Sequence, residues 1–195
     1  TASIPLGEAD PARPLMPDAW ARERDKACRL ECPEPHYRFL FDAAVTSLVL
    51  HTPEDAYPGP YTYKRFWFRD AAFIIHALLA LGLEARARRA IECFFARQTP
   101  LGYFRSQEGE WDSNGEVLWL LDRYRRLQGE GVPAHWREPV DRAARWISRK
   151  CLPESPVTPH AGLLPAGFSA EHLGPNDYYY WDDFWSIAGL RAAAA

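Results

Sequence analysis

What this chain lacks narrows it first. Among its 195 residues no apolar run approaches the roughly 20 needed to span a bilayer, so no membrane partner is expected. Positive charge is not in excess. The 23 Lys and Arg stand against 26 Asp and Glu, for a formal net charge of -3 and a pI of about 6.1, which excludes a general basic surface for nucleic acid. The short run Ala85-Arg86-Ala87-Arg88-Arg89 reads as the solvated face of a helix. Thr1 to Met16 carries no charged-then-apolar leader pattern. Cysteine is scarce: Cys28, Cys32, Cys93 and Cys151 complete no zinc spacing. His36, His51, His76, His135, His160 and His172 show no metal-ligand spacing either, so neither metal nor cofactor is expected. Buried free thiols fit a reducing, cytoplasmic setting. Strand-like alternation with hairpin turns is missing too, which leaves helices.

Aromatic residues, by contrast, are plentiful: 8 Trp, 9 Tyr and 10 Phe, 14% of the chain. Many lie beside acids rather than in helical stripes, a placement that suits flat ligands with polar edges. Residues 1–16, with Pro5, Pro11 and Pro14, read as an extended lead-in, and residues 17–195 as the folded unit. A short charged helix is expected from about Asp18 to Leu30, ended by Pro33 and Pro35. Positions 37, 40, 41, 44, 45 and 48 follow the i, i+3, i+4, i+7 pattern, which predicts a helix over 36–50. The run Ala71 to Leu81 is interrupted only by His76 and predicts a helix buried on all sides, ending at Gly82. From Glu84 to Gln98 the pattern turns amphipathic, with Ala87, Ala90, Ile91, Phe94 and Phe95 inward and Arg86, Arg88, Arg89 and Glu92 outward. Ser113 and Glu116 have capping-box spacing ahead of another apolar helix that runs to Gln128. Pro139 to Cys151 is amphipathic again. A Pro-rich loop from Leu152 to Pro175 leads to a last helix over Asp177 to Ala195, and loops of that size in compact domains are often functional.

Apolar and amphipathic helices therefore alternate, which predicts an all-α fold of helical hairpins with inner helices covered by outer ones. In such a ring the inner helices run the same way and their N-termini meet at one end. Three aromatic–acid clusters lie at those N-termini: Tyr61 to Asp70, Glu110 to Gly115, and Tyr178 to Asp183. Taken singly, Asp70, Asp112, Asp182 and Asp183 could each be a helix cap, a role for which Asp is favoured. Arg69 beside Asp70 could be a structural ion pair, and Trp67, Trp111 and Trp181 ordinary core. Three such coincidences at one end point instead to a site. Indole faces stack on the C–H faces of sugar rings, while carboxylates and Arg grip hydroxyls. Breaking a glycosidic bond needs a carboxylic acid to protonate the leaving oxygen and a second carboxylate as base or nucleophile. Asp182 and Asp183 sit among six aromatic residues and repel each other, which raises one pKa and places the general acid there.

Trp67-Phe68-Arg69-Asp70, preceded by Tyr61 and Tyr63, resembles the Tyr-rich W-x-R-D motif of glucoamylase-type glycoside hydrolases, whose fold is the (α/α)6 toroid, the six-hairpin glycosidase fold. The resemblance implies that Asp70 and Arg69 hold hydroxyls of the sugar at the cleaved bond. It makes Asp112-Ser113-Asn114-Gly115 similar to the segment that opens the family's fourth helix. Trp181-Asp182-Asp183 then matches the W-E-E segment, with Asp182 the catalytic acid and Asp183 a substrate-binding group. The substrate-binding set expected is thus Tyr63, Trp67, Arg69, Asp70, Trp111, Asp112, Asn114, Trp181 and Asp183. Asp replaces Glu at the acid, one methylene shorter. The resemblance covers residues 36–195, about three hairpins where the toroid has six. It implies that the rest of the barrel, and the catalytic base, come from a longer chain or from another chain. An oligosaccharide or glucoside with α-glucosidic bonds and an inverting mechanism are implied by the same likeness. A disaccharide phosphorylase or trehalase of the same fold, a non-catalytic carbohydrate-binding helical repeat, and a purely structural helical domain are the alternatives.

Overall fold

The computed structural model describes residues 17–59, 65–129, 131–157, 159–169 and 174–195. Among them the chain forms seven α-helices and one 3-10 turn, with no strand: α1 (Pro17–Arg24), α2 (Pro35–Leu50), α3 (Phe68–Ala80), α4 (Glu84–Phe95), α5 (Ser113–Gln128), the 3-10 turn Ala134–Trp136, α6 (Arg137–Lys150) and α7 (Tyr180–Ala193). The all-α class is as expected. No described helix is long and apolar enough to cross a membrane.

The first helix is shorter than expected. It stops at Arg24, and the Cys28 N–H donates to the Leu81 carbonyl at 2.8 Å, pinning the following residues to the end of α3 instead of extending the helix. In α2, Pro35 occupies the first turn and the Glu34 side chain accepts from the His36 N–H, a start that suits proline because that N–H position has no helical partner. Its expected stripe is only half covered: Val45 is buried, Phe41 and Leu48 partly so, and Tyr37, Leu40 and Ala44 are exposed.

The core is built on α5, which packs against α3, α6 and α7. It is α5 that is enclosed on most sides, with every residue from Ser113 to Leu118 buried. The expectation of full burial was placed on α3, and it fails there: Phe73 is 41% exposed, because α4 and α5 cover other faces of that helix. Left-handed glycines, Gly82 (φ 77°) and Gly129 (φ 67°), close α3 and α5. On α4, Ala87, Ala90, Ile91 and Phe94 face inward as expected. Arg86 does not face solvent: it is buried, donating to the carbonyls of Val49 and Thr52 and to Glu23 at 3.0 Å. A guanidinium with many donors can tie off the open end of α2, which no apolar side chain could do. The 3-10 turn ahead of α6 buries Trp136, whose indole donates to Glu92 of α4 at 2.9 Å.

Two contacts set the direction of the inner helices. Phe73 of α3, Trp119 of α5 and Trp185 of α7 form a ring cluster with centroids 5.4 to 6.2 Å apart. One or two turns back, Arg69, Asp112 and Trp181 also meet. Helices joined at both levels in the same sequence order run side by side in one direction. The α5–α7 crossing is closed by Gly115 and Gly189: a Cβ on Gly115 would lie 2.2 Å from the Trp185 carbonyl oxygen. The described parts of the 152–175 loop fold back on this end. The Phe168 N–H donates to the Gly109 carbonyl at 2.8 Å, and Gly167 pairs with Asp177 just before α7.

Candidate active site

Two inner helices, α3 and α7, each deliver one side chain to a single carboxylate at the start of the third, α5. Asp112 precedes α5, is 1% exposed and makes no capping bond to its own helix. Its Oδ2 accepts from Arg69 Nε of α3 at 2.7 Å and from the Trp181 indole of α7 at 2.8 Å. The Arg69 guanidinium also stands 5.6 Å from the Trp181 ring centroid. Asp112 is therefore a junction, and the capping role that Asp often has at a helix start does not apply to it. Charge-assisted bonds of this kind are the strong ones among hydrogen bonds.

Next to this pair lies a second buried acid. Asp182, on the first turn of α7, is 5% exposed and makes no side-chain cap bond. Burial, and after it the negative charge of Asp112, pushes its carboxyl up to about 8, with Asp183 and Glu110 adding to the rise and Arg69 opposing it. Burial disfavours the charged form because the apolar surroundings cannot replace its hydration. At neutral pH Asp182 thus carries a proton beside Trp181, whose ring remains 45% exposed. Asp183 turns the other way: its Oδ1 accepts from the Leu164 N–H at 2.9 Å and fastens the long loop to α7.

Glu116 is the group that sequence reasoning missed. The Ser-x-x-Glu spacing assigned it to a capping box, and that box does not form. The Ser113 hydroxyl donates instead to the Phe104 carbonyl at 2.6 Å, and both carboxyl oxygens of Glu116 are buried without a hydrogen-bond partner. Burial first, then Asp112, raises its pKa well above the usual carboxylate range; Asp70 and Glu110 add to this, and Arg69 counteracts it. Ser186, one turn after Asp182 on the same face of α7, is a further buried side chain whose hydroxyl has no partner. The available signal was the position itself: an ionisable residue in the middle of the most enclosed turn of the chain.

The remaining expected residues separate. Asp70, on the first turn of α3, is half-buried and acts electrostatically on Glu116, so it belongs to the same neighbourhood. Trp67 immediately precedes α3, with the Arg65 guanidinium 4.9 Å from its ring centroid. Trp111 is 5% exposed, packed among Tyr103, Trp146 and the Lys150 ammonium, 3.8 Å from its ring. It forms a back wall rather than a surface that a ligand could reach. Asn114 is fully buried and wholly engaged: its Oδ1 accepts from the Phe104 N–H at 2.8 Å, and its Nδ2 donates to the carbonyls of Gly102 and Ala143 at 3.0 and 3.1 Å. With both amide ends on backbone it has nothing to offer a sugar. That corrects its assignment as a binding residue. Tyr61 and Tyr63 lie outside the described residues. Among the described residues no three His, Cys, Asp or Glu side chains are grouped so that they could hold a metal ion.

The arrangement sets a nearly buried carboxylic acid with a raised pKa beside the Arg69–Asp112 salt bridge and a half-exposed indole. Such a set can donate a proton to a bound ligand oxygen and orient hydroxyls around it. No family model, curated protein or solved structure matches this chain.

Proposed function

We propose that this chain is the N-terminal half of a glycoside hydrolase catalytic domain of the (α/α)6 type, acting on α-glucosidic bonds. The observation that carries the reading is Asp182, an acid held protonated at neutral pH by burial and by its charged neighbours, next to an exposed tryptophan face. Asp182 serves as general acid, passing its proton to the leaving glycosidic oxygen. Arg69 and Asp70 bind hydroxyls, Asp112 holds Arg69 in place, and Trp181 stacks on the sugar ring. The base is supplied by helices outside these residues. The hairpin order supports the barrel: α3, α5 and α7 run together, α4 packs on α3, and α6 packs on α5 and α7. Exposed Phe73, Phe184 and Ile187 then face the helices that complete it.

The test is hydrolysis of a nitrophenyl α-glucoside and of maltooligosaccharides by the protein that carries this chain together with the remaining helices. Turnover is expected to fall along an alkaline limb near the Asp182 pKa, and to drop by roughly 10²–10⁴-fold in Asp182→Asn. Turnover that appears only with added phosphate moves the reaction to a phosphorylase of the same fold. Sugar binding without turnover, unchanged in Asp182→Asn, overturns the catalytic reading and leaves a carbohydrate-binding helical repeat.

A further inference from the structure

Among the described residues some arginines pair with a carboxylate and others do not, and two of the unpaired ones line the same cleft. Arg69, Arg97, Arg125 and Arg126 each lie on a carboxylate. Arg65 and Arg105 do not. Arg65 donates to two neutral acceptors, the Ser106 carbonyl and Gln107 Oε1 at 3.4 Å, and stacks over Trp67. Those bonds fix the guanidinium without cancelling its charge. Arg105 is exposed and makes no hydrogen bond or ion pair among the described residues.

Both arginines open onto one cleft of about 420 Å³ between the entry to α3, the end of α4 and the turn before α5. Arg97 stands on its wall, already neutralised by Asp55 at 2.7 and 3.1 Å and seated 4.2 Å from the Phe66 ring. Thr99 and Ser106 add small polar groups, and among the described residues no carboxylate lines the cleft. In a chain of net charge -3, three guanidiniums share this wall and two are uncompensated. Uncompensated like charges around a concavity raise the local concentration of anions and are relieved by binding one.

We propose that this cleft is a binding site for a small phosphate monoester, separate from the carboxylate cluster, with which it shares no lining residue. A guanidinium presents paired N–H groups that match phosphate oxygens, and Arg65 and Arg105 both line the cleft that such a dianion would enter. Arg97 contributes field rather than a free fork, because Asp55 occupies it. The volume lies within the range of small-ligand pockets and exceeds what a bare phosphate fills, which favours an ester with an organic part of about monosaccharide size. The assignment stands whether or not the glycosidase reading does.

The experiment is calorimetric titration of the protein that carries this chain with inorganic phosphate, with glucose 6-phosphate and with glucose as the uncharged control. Phosphate and glucose 6-phosphate are expected to bind, with affinity falling as salt rises, and Arg105→Gln is expected to weaken both by about tenfold. Arg105 holds nothing else in place, so that variant should keep the melting temperature of the parent. Arg65→Gln should weaken binding likewise, and tighter binding of the ester than of phosphate would assign the organic part to the cleft. Equal affinities would support a free-phosphate site. Binding of neither anion overturns the proposal, as does binding that both variants leave unchanged. Loss of glucose 6-phosphate binding in Asp182→Asn with Arg105→Gln unaffected would place the ligand in the carboxylate cluster and equally overturn it.

Discussion

Asn114 and Glu116 stand two residues apart on the first turn of α5, both fully buried, and their polar ends meet opposite fates. Asn114 faces the 98–104 turn and α6, where three backbone groups complete its amide. Glu116 has two carboxyl oxygens with no partner, in the field of Asp70, Glu110 and Asp112. One side of the helix thus obeys the rule that buried polar groups are hydrogen-bonded, and the other breaks it. Groups left unsatisfied near a cluster of acids cost stability and raise pKa values, which is the condition a proton donor requires. The comparison teaches that the turn which assembles the candidate site is also the most tightly bound part of the fold. Its structural face holds the backbone so firmly that the other face can remain strained.

The largest effects should come from the scaffold shared by both faces. Gly115→Ala would place a methyl 2.2 Å from the Trp185 carbonyl oxygen and 2.7 Å from the Ser186 nitrogen, both backbone atoms. The helices must separate, and a loss of about 3 kcal/mol or more in chemical denaturation is expected. A fully stable variant would mean that α5 and α7 do not cross so closely. Asn114→Ala comes next. It strands the Phe104 N–H and the Gly102 and Ala143 carbonyls in the interior, which should destabilise by about 3 kcal/mol. Melting curves should show this loss at every pH, because no titrating group is removed.

PH dependence separates the strained face from the satisfied one. The Asp182 carboxyl is raised from 3.8 to about 8 in the folded protein, so between those values the folded state keeps a proton that the unfolded chain has released. Stability must then fall as pH rises through that window, by up to about 1.4 kcal/mol per pH unit for one group. Asp182→Asn removes the drop, so the variant should match the parent near pH 4 and exceed it increasingly toward pH 8. Glu116→Gln should behave the same way above the ordinary glutamate range, since its carboxyl is raised too. A thermal-shift series over pH reads both. A parent protein that gains stability from pH 4 to 8 would show that the two acids are ionised in the folded state, and the general-acid assignment would fail. Catalytic groups held against their own stability commonly give stabilised, inactive variants when replaced.

The sequence made some of this legible and hid the rest for physical reasons. Periodicity is a local signal, so α3 through α7 were readable, as was the inward face of α4. What periodicity cannot say is which neighbour covers a face. Phe73 and the stripe of α2 look as buried in sequence as Leu120 does, yet they differ in how much of the chain packs over them. Arg86 was read as solvated from its place in a basic run, whereas tertiary packing turned it toward the carbonyls that end α2. The site followed a similar division. That Arg69, Asp112 and Trp181 meet was inferable, because alternating helices bring like ends together. The purpose of Asn114 and Glu116 was not, since Ser-x-x-Glu and Asp-Ser-Asn-Gly describe short-range spacing and both residues are defined by contacts across helices.

The smallest effect expected tests the junction itself. Trp181→Phe keeps an aromatic ring under the Arg69 guanidinium and removes the indole N–H that reaches Asp112. Asp112 retains its bond to Arg69 at 2.7 Å, so its charge is still compensated. The loss should be about 1 kcal/mol, because Trp181 is 45% exposed and water can replace part of the bond. In Asp112→Asn the same replacement should cost less, since a neutral amide oxygen accepts more weakly, and the difference between the two backgrounds measures the coupling. If the cycle closes with no coupling, the three inner helices are held together by packing alone. A coupling near 1 kcal/mol would make Asp112 the electrostatic link between them, with the field it exerts on Asp182 unchanged by the loss of the indole.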